Sequence, residues 1–372
     1  MNGLWIALGF VILLVVFGDV FLATMNYREK AFLHPPVCAL AWKGMRRVFC
    51  RLPEATRKRA LQQVIGIQIL LVLLVWLAGT VLGYGLIFFG ALNSFEVSGP
   101  GLNPGPSAAF YYSFAQLATV GSSQLTPASD ALRVLSIMVT FSGLAGVGLV
   151  IAFLLENFQV LRDLSRLSAI FSNLTPMSAS SDNPVGCVAL YYPRGHPVGL
   201  DNYLLALYEA FTSYSDGLQR HHLVYWARCP DGASSLAYPL HMLGGVIGAL
   251  RWGLPTGTPG SDHPLLYQLG NAFEKFIVFL TKSKGWSLGQ APNAVDSDNF
   301  AAVAAGRETP DVWLARFLSL EDSMATVARL EDATDPRDSY ARYREWLPFA
   351  YQAQQITEAV SRDLDHQPLP IR

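Results

Sequence analysis

Charge is scarce in this chain. Of its 372 residues, 15% are charged, against roughly 25% in soluble domains. Hydrophobic residues make up 51%, and mean hydropathy is +0.29. A disordered chain needs the opposite balance and is excluded; an ordinary soluble enzyme is disfavoured. No field of one sign is present either. The 27 basic and 28 acidic residues leave a net charge of −1, so nothing in the global charge points to nucleic acid. Cysteine is sparse. Cys38, Cys50, Cys187 and Cys229 lie far apart and form no CxxC or zinc-type cluster. They read as free thiols in a reducing compartment. Catalytic signatures are also missing: there is no P-loop, GxSxG or HExxH. Gly244-Gly245-Val246-Ile247-Gly248 lies in a helical pattern and follows no strand, so it reads as packing and not as a dinucleotide loop.

The charges that exist are unevenly placed. Residues 1–25 carry only Asp19, residues 64–95 carry none, and residues 132–155 carry only Arg133. Each run exceeds the roughly 20 apolar residues that cross a bilayer's hydrocarbon. Three spans follow, at about 3–25, 64–90 and 132–156. The stretch between the first two, residues 26–63, holds nine basic and two acidic residues, a net of +7. It is expected on the cytoplasmic side, which puts the N-terminus outside and residues 157–372 inside. The first run has no positive flank and is too long for a signal peptide, so it reads as a retained helix. Asp19 sits near the inner end of that helix, where water or a neighbouring Arg is expected to satisfy it; the other reading is a functional intramembrane carboxylate. In the basic loop an interfacial amphipathic helix is expected around 37–51. Arg46, Arg47, Arg51, Arg57, Lys58 and Arg59 are placed to meet anionic lipid headgroups, or they serve topology alone.

Residues 91–131 are the most informative. Gly and Pro crowd the stretch from Ser98 to Pro106, an irregular exposed turret. An apolar, aromatic run of about 12 residues follows, Ser107 to Thr119, with Ser107 available as N-cap. It is too short to span and reads as a re-entrant or interfacial helix. Thr119-Val120-Gly121-Ser122-Ser123-Gln124-Leu125-Thr126-Pro127 comes next.

Span, short aromatic helix, Thr-Val-Gly, Leu-x-Pro, span: this order resembles the pore-loop potassium channels of the two-transmembrane type. The resemblance covers residues 64–157, with the pore loop at 107–127. It implies four chains around one axis, each lending a loop whose backbone carbonyls replace an ion's hydration shell. It implies a filter of Thr119, Val120, Gly121, Ser122 and Ser123, with the Thr119 hydroxyl and carbonyl and the carbonyls of Val120 and Gly121 facing the ion. The chain departs from the family signature Thr-Val-Gly-Tyr-Gly-Asp at three places. Ser122 replaces Tyr and removes a ring that braces the loop. Ser123 replaces the second Gly, at about 1–2 kcal/mol per chain if the backbone is unchanged. Gln124 replaces Asp and removes an outer ring of carboxylates. A wider and weakly selective cation path, a rearranged filter and a closed loop all stay open.

In the third span Gly143, Gly146 and Gly148 read equally well as a hinge in a pore-lining helix and as close packing against span two, which has its own Gly79-x-x-x-Gly83. Glu156 and Asn157 mark the cytoplasmic mouth. Residues 158–182 read as a linker. Residues 183–372 read as a mostly α-helical domain with one strand-like run at 185–192. Helices are expected at 202–227 behind Asp201, at 239–252, 264–282, 310–331 and 336–365, four of them opened by Pro. His221-His222 and the acidic residues Asp296, Asp298, Glu308 and Asp311 show no metal-ligand spacing. The expectation is an all-α, multi-pass protein of the plasma or inner membrane: three transmembrane helices, a re-entrant pore helix with its filter loop, and a cytoplasmic domain that regulates or assembles it. No cofactor and no nucleic-acid partner is expected. The leading reading is a homotetrameric channel for monovalent cations, K+ and Na+ both included. A non-conducting receptor or scaffold on a degenerate channel frame is the alternative, and a membrane-anchored enzyme a distant third.

Overall fold

The computed structural model describes residues 2–25, 32–49, 51, 53–97, 105–122, 125–173, 183–227, 235–307, 310–330 and 335–364. The chain forms two compact units. The first is Met1–Val160 with Gly217–Trp226; the second is Leu161–Asp216 with Ala227–Arg372.

The first unit is built on α1 (Asn2–Met25), α2 (His34–Phe49), α3 (Glu54–Gln62), α4 (Val64–Gly90), α5 (Pro106–Leu117) and α6 (Asp130–Ser172), whose residues through Val160 belong here. Three of these helices, α1, α4 and α6, are long and apolar enough to cross a membrane. The protein is an all-α membrane protein with three membrane-spanning helices. Between α4 and α6 two three-residue strands, β1 (Phe95–Val97) and β2 (Leu125–Pro127), pair antiparallel with Glu96 opposite Thr126. This clasp ties the two ends of the α5 segment together. Runs of three residues are too short for a period-two signal, so this pairing is not legible in the sequence.

Small residues set the helix packing. At Gly79 an added Cβ would strike Val16, and at Gly83 it would strike Leu13. The Gly79–Gly83 pair therefore seats α1 on α4, not α6 on α4. Gly85 leaves room for the Phe110 ring of α5. In α2 the buried residues are His34, Cys38 and Trp42, spaced four apart on one face. The helix expected at 37–51 thus exists with shifted ends. Burial pushes the Cys38 thiol up to about 12, with Asp19 adding to the effect.

α6 is longer than the span expected at 132–156. It runs unbroken for 43 residues to Ser172, so residues 158–172 are helix and not linker. Arg162, Asp163 and Arg166 end the apolar run, yet Leu161, Leu164 and Leu167 keep helical spacing. Hydropathy marks the membrane; it does not mark the helix end. Residues 174–182 of the expected linker lie outside the described residues.

The second unit contains α7 (Pro184–Ala189), most of α8 (Leu200–Arg220), α9 (Ala237–Trp252), α10 (Pro264–Lys284), α11 (Ser297–Ala304), α12 (Val312–Ala328) and α13 (Pro336–Asp363). The strand-like run 185–192 is corrected: it begins with α7. The Asn183 side chain accepts from Gly186 N at 3.1 Å and Pro184 occupies the first turn, and those start signals outweigh the β-branched residues behind them. α8 ends at Arg220, short of the expected 227, and a 3-10 turn covers His222–Trp226. Asp201 lies in the first turn of α8 and does not precede it. α12 is capped by Asp311, whose carboxylate accepts from Leu314 N at 2.6 Å, and α11 by Asp296 in the same way. Two of the four acidic residues noted in the sequence are therefore helix caps; Glu308 lies outside the described residues. Among the described residues no His, Cys, Asp or Glu group could hold a metal ion. Cys187 and Cys38 are buried and form no disulfide among the described residues; Cys50 and Cys229 lie outside them.

Candidate functional site

The site grows out of the end of α5. Gly105 precedes the helix in extended conformation and Pro106 opens it, so Ser107 is not the cap. Polar side chains hold α5 to both long helices. Ser113 Oγ donates to Val81 O of α4 at 3.2 Å. Tyr112 OH and Ser136 Oγ of α6 are 2.8 Å apart, and Thr140 Oγ1 donates to Gln116 Oε1 at 3.2 Å. The Tyr112 ring is buried edge-on between Phe88 and Phe95. At Gly143 a Cβ would overlap the Leu117 carbonyl oxygen, so α6 presses its backbone against the last turn of α5.

Thr119–Ser122 leaves that braced end as non-helical chain. Its amides turn back onto the helix: Thr119 N donates to Gln116 O at 3.0 Å, and Val120 N and Gly121 N both donate to Ala115 O at 2.9 and 3.1 Å. Thr119 and Gly121 take left-handed conformations, at φ 61° and 74°, with Val120 between them. These bonds satisfy the orphan carbonyls of the helix end. They also fix the opposite side of the chain. The peptides here are trans, and in a planar trans peptide C=O points opposite to N–H. The carbonyls of Ala118, Thr119 and Val120 therefore lie on the sides of their peptides opposite these bonds to α5. Val120 is 79% exposed. The α5 C-terminus adds the partly negative end of its dipole to this surface. Backbone carbonyl oxygens are the kind of group that can replace a cation's hydration shell. Ala118 was not among the residues singled out from the sequence; only the hydrogen-bond pattern reveals it. Ser123 and Gln124 lie outside the described residues.

The other candidates separate. Gly143 lies against the root of the loop. A Cβ added at Gly146 or Gly148 would meet nothing within 4 Å among the described residues, and α6 is continuous through all three. Glu156 is about 20 Å further along α6. Its carboxylate is 3.8 Å from His221 Nε2, and the imidazole is 8% exposed. Burial lowers the pKa of His221; Glu156 opposes this, and Arg220 and His34 reinforce it. Beside Glu156, Asn157 is fully buried, with its Nδ2 donating to Phe153 O at 2.7 Å.

Asp19 needs the largest revision. It is 0% exposed, and among the described residues its partners are backbone amides, an indole and an imidazole, not an Arg. Its carboxylate accepts from Phe32 N and Leu33 N at 2.8 and 2.6 Å and from Trp76 Nε1 at 2.9 Å, with His34 Nδ1 at 3.7 Å. His34 packs edge-on against Trp76 and Phe153. One carboxylate thus pins α1, the start of α2 and α4 together next to α6. An Asp in one span and a Trp in another were visible in the sequence, but not their meeting.

Among the basic residues from α2 to α3, Arg46 lies four residues beyond Trp42 and continues the buried stripe. Arg47, Arg51 and Arg59 are exposed, and Arg46 and Arg57 are half-buried; the Lys58 side chain lies outside the described residues.

A short helix held between two spans, followed by a loop that presents successive carbonyls, defines a helical membrane protein of pore-loop design. Comparison with family models agrees: residues 71–160 match the family described as ion channel. Neither curated proteins nor solved structures return a match. The match covers a quarter of the chain and supports a pore-loop channel family, whose work is transport and not catalysis. The chain carries an ion-channel domain and is a transmembrane ion-transport protein.

Proposed function

We propose that the protein is a homotetrameric channel for monovalent cations, permeable to K+ and to Na+, in the plasma or inner membrane. The observation that carries the reading is that the carbonyls of Ala118 to Val120 lie opposite the amide bonds to α5. Thr119, Val120, Gly121, Ser122 and Ser123 form the filter, with Gln124 at its outer mouth. Fourfold assembly is supported by α6. In its own chain only 11% of its most apolar window is buried, against 33% for α1 and 28% for α4. An apolar row through Ile137, Phe141, Leu144 and Ile151 is left open, and a second, third and fourth copy would cover it.

Weak selectivity follows from Ser122 and Ser123, which provide neither the bracing ring nor the conformational freedom of Tyr and Gly. The bracing here comes from behind, through Tyr112–Ser136 and Gln116–Thr140. Gly146 and Gly148 give α6 its bending points, and Glu156 gathers cations at the inner mouth. The N-terminus is outside. The basic residues from α2 to α3, Arg46, Arg47, Arg51, Arg57, Lys58 and Arg59, lie on anionic lipid of the cytoplasmic leaflet, and residues 183–372 regulate or assemble the pore from that side.

The test is a filter exchange. The double substitution Ser122→Tyr with Ser123→Gly should raise the K+ over Na+ flux ratio of the reconstituted protein. An unchanged ratio would mean that these two positions do not set selectivity. Current in the double variant from a silent parent would favour the degenerate scaffold.

A further inference from the structure

The second unit contains a cleft of about 850 Å³ bounded by α7, α9, α12 and α13, within the size range of small-molecule sites. Its walls hold charge in an unusual arrangement. Arg316 of α12 donates from Nη1 to Gln354 Oε1 of α13 at 2.8 Å, and Gln354 Nε2 donates to Glu358 Oε1 at 2.7 Å. A neutral amide therefore stands between a cation and a carboxylate that would otherwise collapse into an ion pair. Among the described residues no carboxylate pairs with Arg316. Its guanidinium lies over the Trp313 ring at 5.0 Å, and burial lowers its pKa, with Glu358 opposing. Ser361, one turn beyond Glu358, is 2% exposed, lines the cleft, and its Oγ has no hydrogen-bond partner among the described residues. A buried hydroxyl left unsatisfied costs stability unless something supplies its partner. Trp313 and Trp346 supply the apolar walls.

We propose that this cleft binds a small zwitterion of the amino-acid or short-peptide class. The ligand carboxylate pairs with Arg316, its ammonium with Glu358, and its apolar body lies against Trp313 and Trp346; Ser361 takes a polar atom of the ligand backbone. The two charges of the cleft, held one amide apart, match two opposite charges held a few bonds apart. A plain anion would leave Glu358 facing it, and a plain cation would meet Arg316.

The proposal is independent of ion conduction and is tested without it. The full chain in detergent is titrated by calorimetry with L-tryptophan and with the dipeptide Trp-Leu, each also as its N-acetyl and its C-terminal amide form. At least one free zwitterion should bind saturably, one per chain, tighter than about 1 mM. Acetylation and amidation should each weaken it by about tenfold or more, as loss of a charged hydrogen bond does. Arg316→Gln should erase the penalty for amidation and Arg316→Lys should restore part of it; Glu358→Gln should erase the penalty for acetylation. Each variant is compared with the parent by circular dichroism, so that loss of the fold is not read as loss of the site. Failure of both free probes to bind, or equal binding of free and blocked forms, would overturn the proposal.

Discussion

Gly143→Ala separates close packing from hinge motion in α6. Taken alone, Ala in place of Gly inside a helix gains about 0.8–1 kcal/mol. A Cβ at Gly146 or Gly148 would have open space among the described residues, so Gly146→Ala and Gly148→Ala should stabilise the first unit by about that much. At Gly143 the new Cβ meets the Leu117 carbonyl oxygen. That oxygen is backbone and cannot rotate away. Overpacking costs about 1–3 kcal/mol, so Gly143→Ala should be net destabilising by up to about 2 kcal/mol, and about 1–3 kcal/mol worse than its neighbours. For a unit of this size 2 kcal/mol is about 4–8 °C in melting temperature. The assay is thermal unfolding of the three variants in one detergent, followed by flux measurements on reconstituted protein. Gly143→Ala should also disturb conduction, because Leu117 lies two residues before Thr119. A Gly143→Ala protein as stable as Gly146→Ala would refute the contact. Loss of gating in Gly146→Ala and Gly148→Ala, with their stability intact, would support the hinge.

Three further outcomes are expected. Asp19→Ala leaves the Trp76 indole and the Phe32 and Leu33 amides without their acceptor; at about 1–3 kcal/mol for a buried donor left unpaired, it should lower the denaturation midpoint clearly, with Asp19→Asn intermediate. Cys38, buried and with its thiol raised to about 12, should resist maleimide at neutral pH in a variant lacking the other three cysteines, and react once the protein is unfolded. His221 is neutral in the fold because burial lowers its pKa, while the unfolded chain protonates near the ordinary value of about 6.5. Stability from this group is therefore complete above that value and falls as pH drops below it. Unfolding midpoints taken between pH 8 and pH 5 should fall with that sign, and His221→Gln should flatten the slope.

What the sequence made legible was set by period and by punctuation. The apolar stretch from Val64 to Gly90 is α4 with the same ends, because here the helix stops within the charge-free run, at the Ala91–Ser94 turn. Pro264 and Pro336 opened helices where their fixed φ suits a first turn. The misses share one cause: contacts between distant residues leave no local pattern. Asp19 finds Trp76 across 57 positions. The Phe95–Val97 strand is defined only by its partner. The C-terminal end of α6 lies beyond the expected span because apolar content does not set a boundary that helical spacing carries on to Ser172. At the site itself, the sequence marked the loop and its departures from the family, while the direction of its carbonyls rests on three amides of Thr119, Val120 and Gly121 folding back onto α5. The residues that brace it, Tyr112, Ser136, Gln116 and Thr140, look ordinary until α5 and α6 are side by side.

Ion flux in liposomes containing the purified protein, driven first by a potassium and then by a sodium gradient, tests the central claim most directly. The account expects both cations to pass, chloride not to, and flux to fall with Gly143→Ala. A verified, folded tetramer that passes neither cation would contradict it.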